Sequence, residues 1–301
     1  MTAELSRVTF GPPVSTLEFD HAGDRALGRR GLRPPQPRVS VIVPAKGEAE
    51  NILEILPYLS GFFEVIVVLS EDDRASAEAA VTALPSARVI HQTRKGKGNA
   101  LACGMAAATG DIIVMLDADG STDPAEIPGF VGALLAGADF AKGSRFIQGG
   151  GSTDITRLRR AGNWALNFIV NVLFGTRYTD LCYGYNAFWR HCVTEMDLPD
   201  PVSRRPQWGD GFEIETLINV RIATAGLKIA EVCSFEQDRI FGVSNLNVVR
   251  DGLRVLRTIG REYLDRRKIR GHATGRAVVS SIKGGLESAQ IVAQADHALT
   301  V

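Results

Sequence analysis

Cysteine is scarce in this chain, and neither sign of charge is in excess. The four cysteines, Cys103, Cys182, Cys192 and Cys233, stand far apart and form no CxxC pair. A zinc site or a disulfide framework is therefore not expected, and reduced thiols are. Thirty-four Lys and Arg balance thirty-four Asp and Glu, so nothing global points to nucleic acid or to an acidic partner. No apolar run approaches the roughly 20 residues of a membrane-spanning helix. No basic segment followed by an apolar run opens the chain, as it would in a signal peptide. Internal repeats are lacking too. What remains is a chain of 301 residues, 45% apolar and 23% charged, enough for one large α/β core or two small ones. The expected location is cytoplasmic, with peripheral contact at the inner face of a membrane as an extension.

Residues 1–37 hold no sustained period and end in a proline-rich stretch, Pro34, Pro35 and Pro37, which reads as an irregular leader. A domain is expected over 38–265 and a mobile tail over 266–301. Val39 to Val43 is a β-branched run suited to a buried parallel strand. A turn at Pro44 to Gly47 follows, then a helix from Glu48 to Leu59 with acidic residues in its first turn. Val65 to Leu69, Arg88 to His91 and Ile112 to Leu116 read as further strands. Arg74 to Leu84 and Gly98 to Ala108 are the helices between them. Strands alternating with helices at this spacing predict a doubly wound, mostly parallel α/β sheet. Later helices are expected over Ile155 to Phe174, Phe212 to Ala225 and Leu246 to Arg270, the last basic and amphipathic.

In such sheets ligands bind beyond the carboxyl ends of the strands, and the polar motifs sit at those ends. Asp117 and Asp119 follow the fourth strand with Ala118 between them. Two carboxylates so placed can share a hard divalent cation that in turn holds a diphosphate; a helix cap and a turn is the alternative. Lys95 to Ala100 reads either as a phosphate-cradling loop at a helix start or as a solvated basic turn. It matches neither the triphosphate-loop nor the dinucleotide fingerprint.

Taken together, Pro44 to Glu48, Lys97 to Ala100, Asp117 to Gly120 and Gly143-Ser144-Arg145 resemble the family 2 inverting glycosyltransferases of the GT-A fold. Asp180 to Tyr185, Gly211 to Glu215 and Arg239 to Asn245 are similar to the dolichol-phosphate mannosyltransferase and polyprenyl-phosphate glycosyltransferase branch. The resemblance covers roughly residues 38 to 260. It implies a nucleotide-diphospho-sugar donor held by Pro44, Ala45, Lys46, Glu48 and Ser70 around the base and ribose. Lys97, Gly98, Asp117, Ala118 and Asp119 would meet the sugar diphosphate, with Arg145 and Arg239 assisting at phosphate. Asp117, Asp119 and Ser121 would hold Mg²⁺ or Mn²⁺. Three positions depart from the pattern. The second strand ends in Leu69 and Ser70 instead of an aspartate, Ser121 replaces a metal-binding glutamine, and Gly47 replaces an asparagine.

Inverting transfer to a hydroxyl needs a general base, whereas a lipid phosphate is already anionic and needs none. Asp210, Glu213 and Glu215 are base candidates, with Asp180 a further one on the acceptor or sugar side. Glu213 and Glu215 are two apart, so at most one points into the site. Asp210, Glu213 and Asp180 form the expected catalytic set, with a helix N-cap the alternative for Asp210. The acceptor is expected to be a polyprenyl phosphate, with a soluble hydroxyl compound as the alternative and a homodimer left open. The basic run Leu246 to Arg270 reads as core packing or as a membrane-surface element. A sugar-nucleotide pyrophosphorylase lacks its triphosphate loop here, and a non-catalytic nucleotide-sugar binder is the remaining alternative.

Overall fold

The computed structural model describes residues 33–242 and 251–266. The leader up to residue 32, the segment 243–250 and the tail from 267 lie outside the described residues, and with them Arg250, Arg267, Lys268 and Arg270. The chain divides into two units, Met1–Ile259 and Gly260–Val301. Of the second, residues 260–266 are described and are helical. Everything below belongs to the first.

Its elements alternate as the sequence predicts: β1 (Val39–Pro44), α1 (Ala49–Ile55), β2 (Glu64–Leu69), α2 (Arg74–Ala83), β3 (Arg88–His91), α3 (Lys97–Ala107), β4 (Ile112–Met115) and α4 (Ile127–Leu135). There follow β5 (Phe140–Ser144), β6 (Gly151–Ser152), α5 (Arg157–Phe174), β7 (Asn186–Trp189), α6 (Cys192–Met196), α7 (Ile214–Thr224), β8 (Ile229–Cys233) and β9 (Phe235–Glu236). Residues 251–259 form a further helix. The helix expected from Glu48 to Leu59 stops at Ile55 and tightens into a 3-10 turn over Leu56–Leu59. Pro57 cannot donate the amide that would continue it.

Seven strands form the main sheet in the order β3-β2-β1-β4-β7-β5-β8. All pair in parallel except β7, which runs antiparallel to both β4 and β5. Burial on both faces explains the β-branched runs: Val41 to Val43, Ile66 to Leu69 and Ile112 to Val114 are fully enclosed,. Strands β5, β7 and β8 were not anticipated, because polar residues interrupt their pattern. Lys142 in β5 is wholly buried, and its ammonium donates to the carbonyls of Gly143 (2.9 Å) and Tyr183 (2.6 Å). Burial pushes that ammonium below its ordinary pKa,.

Helix α5 is capped by the Thr156 hydroxyl, which accepts from the Arg159 amide, and ends at Gly175 in the left-handed region,. Its inward residues are unusual. Asn163, Asn167 and Asn171 recur every four residues on one face and grip the loop from Tyr178 to Cys182. Asn163 accepts from the Cys182 amide (3.3 Å), and Asn167 accepts from the Leu181 amide (2.8 Å) while donating to the Thr179 carbonyl (2.5 Å). Asn171 accepts from the Tyr178 amide and donates to its carbonyl, both at 2.8 Å. No helix of the described residues is long and apolar enough to cross a membrane.

Replacing Asn167 by Ala leaves the buried Leu181 amide without an acceptor. The expected loss is about 2 kcal/mol of stability, read as a lower urea midpoint at unchanged slope. An unchanged midpoint would show that the ladder does not hold the loop.

Candidate active site

Connections leave β1 toward β2 and β3 on one side of the sheet, while β4 lies on the other, so the crevice between β1 and β4 is a topological switch point,. A cavity of about 640 Å³ opens there. Pro44, Ala45, Lys46, Glu48, Lys97, Asp117, Ala118, Asp119, Ser121, Arg145 and Arg239 all line it. Of the expected donor residues, Ser70 and Gly98 do not.

The carboxylates after β4 are each held by a cation. Lys97 Nζ lies 2.7 Å from Asp117 Oδ1 and 2.6 Å from Glu215 Oε1. Burial alone would lower this ammonium's pKa, but the two carboxylates outweigh it and hold the group above its ordinary value,. Asp119 Oδ1 accepts from the Ser121 amide (3.0 Å) and hydroxyl (2.7 Å), and its Oδ2 lies 3.4 Å from Arg239. Arg239 also donates to Glu48 at 2.5 Å. Burial pushes the Arg239 guanidinium down, and Asp119, Glu48 and Asp117 together push it up further. Both aspartates therefore face the space that Arg239 occupies.

A strap following β9 fixes that arginine. The Gln237 amide donates to the Ser121 carbonyl (2.9 Å) and the Ile240 amide to the Asp119 carbonyl (3.1 Å). Asn51 in α1 closes the strap by accepting from the Phe241 amide at 2.9 Å. Gly120, between the two anchored residues, has φ +76°, and a Cβ there would overlap the Ile240 side chain.

Two carboxylates and a hydroxyl form a hard oxygen donor set. Among the described residues no group of three or more His, Cys, Asp or Glu closes round an ion alone. The set fits Mg²⁺ or Mn²⁺ completed by diphosphate oxygens, and it does not fit a protein-enclosed zinc.

The turn before α3 differs from a phosphate cradle. The Gly98 and Asn99 amides donate to the Asp210 carbonyl at 2.9 and 3.2 Å. A Cβ at Gly96 or Gly98 would overlap the carbonyl of Asp210 or of Gly209. These glycines let two backbones touch, while Lys95, Gly96 and Lys97 reach the cavity.

The three expected catalytic carboxylates do not line the cavity either. Asp210 is gripped by Arg94, whose Nη2 lies 2.8 Å from its Oδ1, and it accepts from the Gln207 amide at 2.7 Å. It is not a helix N-cap, since α7 starts after Glu213. Glu213 accepts from the Gly209 and Gly211 amides and lies 3.5 Å from Arg254. Asp180 is fully buried between Arg145 (2.7 Å) and Asn163 (3.1 Å). Glu215, two residues past Glu213, does line the cavity. Arg145 is held by Asp180 and by Glu236 at 2.8 Å. The basic helix is likewise engaged: Arg254 meets Glu213, and Arg257 lies 5.3 Å from the Trp208 ring.

Sequence reasoning missed Arg94, Asn51, Glu236 and the asparagines of α5. Only the asparagines left a local signal, their spacing of four.

Residues 40–194 match the sequence profile of Glycosyl transferase family 2. Glycosyltransferase AglJ of Haloferax volcanii is 30% identical over 223 residues, 73% of this chain and 70% of that protein. The polyprenol monophosphomannose synthase of Mycolicibacterium smegmatis is 30% identical over 227 residues, 72% of this chain and 83% of that one. Glucosyl-3-phosphoglycerate synthase from Mycobacterium tuberculosis, solved with Mn²⁺, UDP and phosphoglyceric acid, superposes with a TM-score of 0.56. The alignment covers 75% of this chain and 78% of that chain at 22% identity, a likeness of fold, and that fold is GT-A.

Gly120→Ala should cost about 1–2 kcal/mol from its left-handed backbone and more from the overlap with Ile240, read as a lower melting temperature. Adding Ile240→Ala should recover the steric part alone. A Gly120→Ala protein melting like the wild type would show that the strap does not press on this turn.

Proposed function

Because the chain belongs to glycosyl transferase family 2, we propose that it transfers a hexose, with inversion, from a UDP- or GDP-sugar to a polyprenyl phosphate. The observation that carries this reading is the state of the cavity's carboxylates. Glu48, Asp117, Asp119, Asp154, Glu215, Glu236 and Asp251 line it. Each sits within 4.0 Å of an arginine or lysine: Arg239, Lys97, Arg239, Arg159, Lys97, Arg145 and Arg254 in that order. None of the seven therefore stands in the cavity without a cation beside it. An acceptor that brings its own negative charge needs no proton transfer.

The cavity's lining suits the two substrates. Pro44, Ala45, Lys46 and Glu48, with Gln92 and Lys95, line it after β1 and β3, and there base and ribose would lie. Asp117 and Asp119, with the Ser121 hydroxyl beside them, would hold Mg²⁺ or Mn²⁺, which when bound neutralises the charge growing on the leaving diphosphate. Lys97 and Arg239 offset part of the charge of the four carboxylates they bridge here, and the negative excess suits a divalent cation. Ile155 and Leu166 from the α5 side, Phe212, and Val255 of the 251–259 helix add apolar lining. Those four side chains suit the first units of a lipid chain. An acceptor phosphate oxygen attacks the anomeric carbon on the face opposite the diphosphate. The bond from that carbon to the diphosphate breaks, and the nucleoside diphosphate leaves with the electron pair. Two of the relatives are named for polyprenol or undecaprenyl-phosphate mannose transfer, which supports the acceptor class. The same reading takes residues 38–265 as the catalytic domain.

A soluble hydroxyl acceptor is the second reading, and Glu215 favours it as the carboxylate facing the cavity from α7. Slow donor hydrolysis across UDP-, GDP- and dTDP-sugars with Mn²⁺ tests the donor half. One donor should turn over, and chelation or Asp119→Ala should abolish it; no metal-dependent turnover or binding of any donor overturns the proposal.

Glu215→Gln separates the acceptors. The glutamine oxygen can still accept from Lys97, so with a short polyprenyl phosphate kcat should stay within about tenfold of wild type. Loss of a general base would cost about 10²–10⁴-fold, and a fall of that size would favour the hydroxyl acceptor.

A further inference from the structure

Helix α5 is built inside out. Its inward ridge is the asparagine ladder, and its outward face carries Leu158, Trp164, Phe168 and Val172, which are 66%, 70%, 60% and 66% exposed. At 100° per residue these four fall on one side of the helix. The Trp164 and Phe168 rings stack on one another, with centroids 6.1 Å apart. A helix in water normally turns such residues to the core, and an exposed apolar patch of this kind marks a surface that another phase or partner covers.

Charge selects the partner. The helix contains no Asp or Glu. Arg157 and Arg160 stand exposed at its start, and Arg177 stands exposed just beyond its end. A second copy laid along this face would set arginine against arginine in either direction, because both ends are positive. An anionic surface meets both ends favourably. Aromatic side chains beside arginines are also the composition that settles at the boundary between headgroups and acyl chains.

We propose that the outward face of α5 docks this protein on a membrane bearing anionic lipid. The sequence leaves the basic run from Leu246 to Arg270 open between core packing and a membrane-surface element. In the structure two arginines of that run, Arg254 and Arg257, are turned to Glu213 and Trp208. The placement also has a consequence for access. Gly162, Asn163 and Leu166 of the same helix line the cavity, so docking through α5 brings the cavity close to the lipid. The inference does not depend on which group is transferred.

Co-sedimentation with vesicles tests it, using pure phosphatidylcholine against equimolar phosphatidylcholine and phosphatidylglycerol. Wild type should pellet with the anionic vesicles and be released by salt. Trp164→Ser combined with Phe168→Ser should lower partitioning at least about tenfold. These side chains lie on the surface and outside the cavity, and a circular-dichroism melt checks that the variant folds. Trp164 emission should shift to the blue on vesicle addition, and Trp164→Phe should lose that shift while still pelleting. The proposal is overturned if wild type ignores both vesicles, or if the double variant binds as well as wild type. It also falls if Leu253→Ser with Leu256→Ser, and not the α5 pair, abolishes binding. A dimer in sedimentation equilibrium that the α5 variant dissociates would assign the face to a second copy and reject the membrane.

Discussion

Lys97 stands between Asp117 at the end of β4 and Glu215 on α7, and the rest of the site depends on that bridge. Like charges concentrated at one crevice repel, and Asp117, Asp119, Glu48 and Glu215 all converge here. Lys97 and Arg239 each join two of them. The result is a lattice of alternating charge in which α1, α3, α7, the turn after β4 and the strap after β9 hold one another. The side chains of such a site are fixed in place by their mutual pairing before any ligand arrives.

The backbone serves the same end. The glycine turn before α3 is pressed against the carbonyls of Gly209 and Asp210, so that α3 begins where Lys97 can reach both carboxylates. Asp210 itself is held by Arg94 and acts through this contact. Asp210 lies off the cavity, as does Asp180, whose carboxylate meets Arg145 and Asn163. Carboxylates that look catalytic by their neighbourhood in the chain are here the anchors of arginines.

Helix α5 joins the site to the outside of the molecule. Its asparagines define the loop from Tyr178 to Cys182, another side of it lines the cavity, and its outer face is apolar. One helix thus carries three surfaces of different chemistry. That explains why its sequence shows a helical period without an ordinary core stripe.

The β-branched runs and the polar motifs at their ends determined the parallel core from β1 to β4, the switch-point crevice and the place of Asp117 and Asp119. Those features follow from local pattern, because burial on both faces demands apolar strands and the strand ends are where loops can carry polar groups. Strands β5, β7 and β8 were not legible, since Lys142 and Glu231 interrupt their apolar pattern and meet Tyr183 and Thr179 only once the chain has folded. The roles of the carboxylates were not legible either. Arg94 meets Asp210 across 116 residues, Lys97 meets Glu215 across 118 and Arg239 meets Glu48 across 191. Whether an acid is free or paired is a matter of a few ångströms in space, because Coulomb and hydrogen-bond energies fall away over that distance. Spacing along the chain does not encode it, and so the tertiary structure alone decided which acids anchor and which face the cavity.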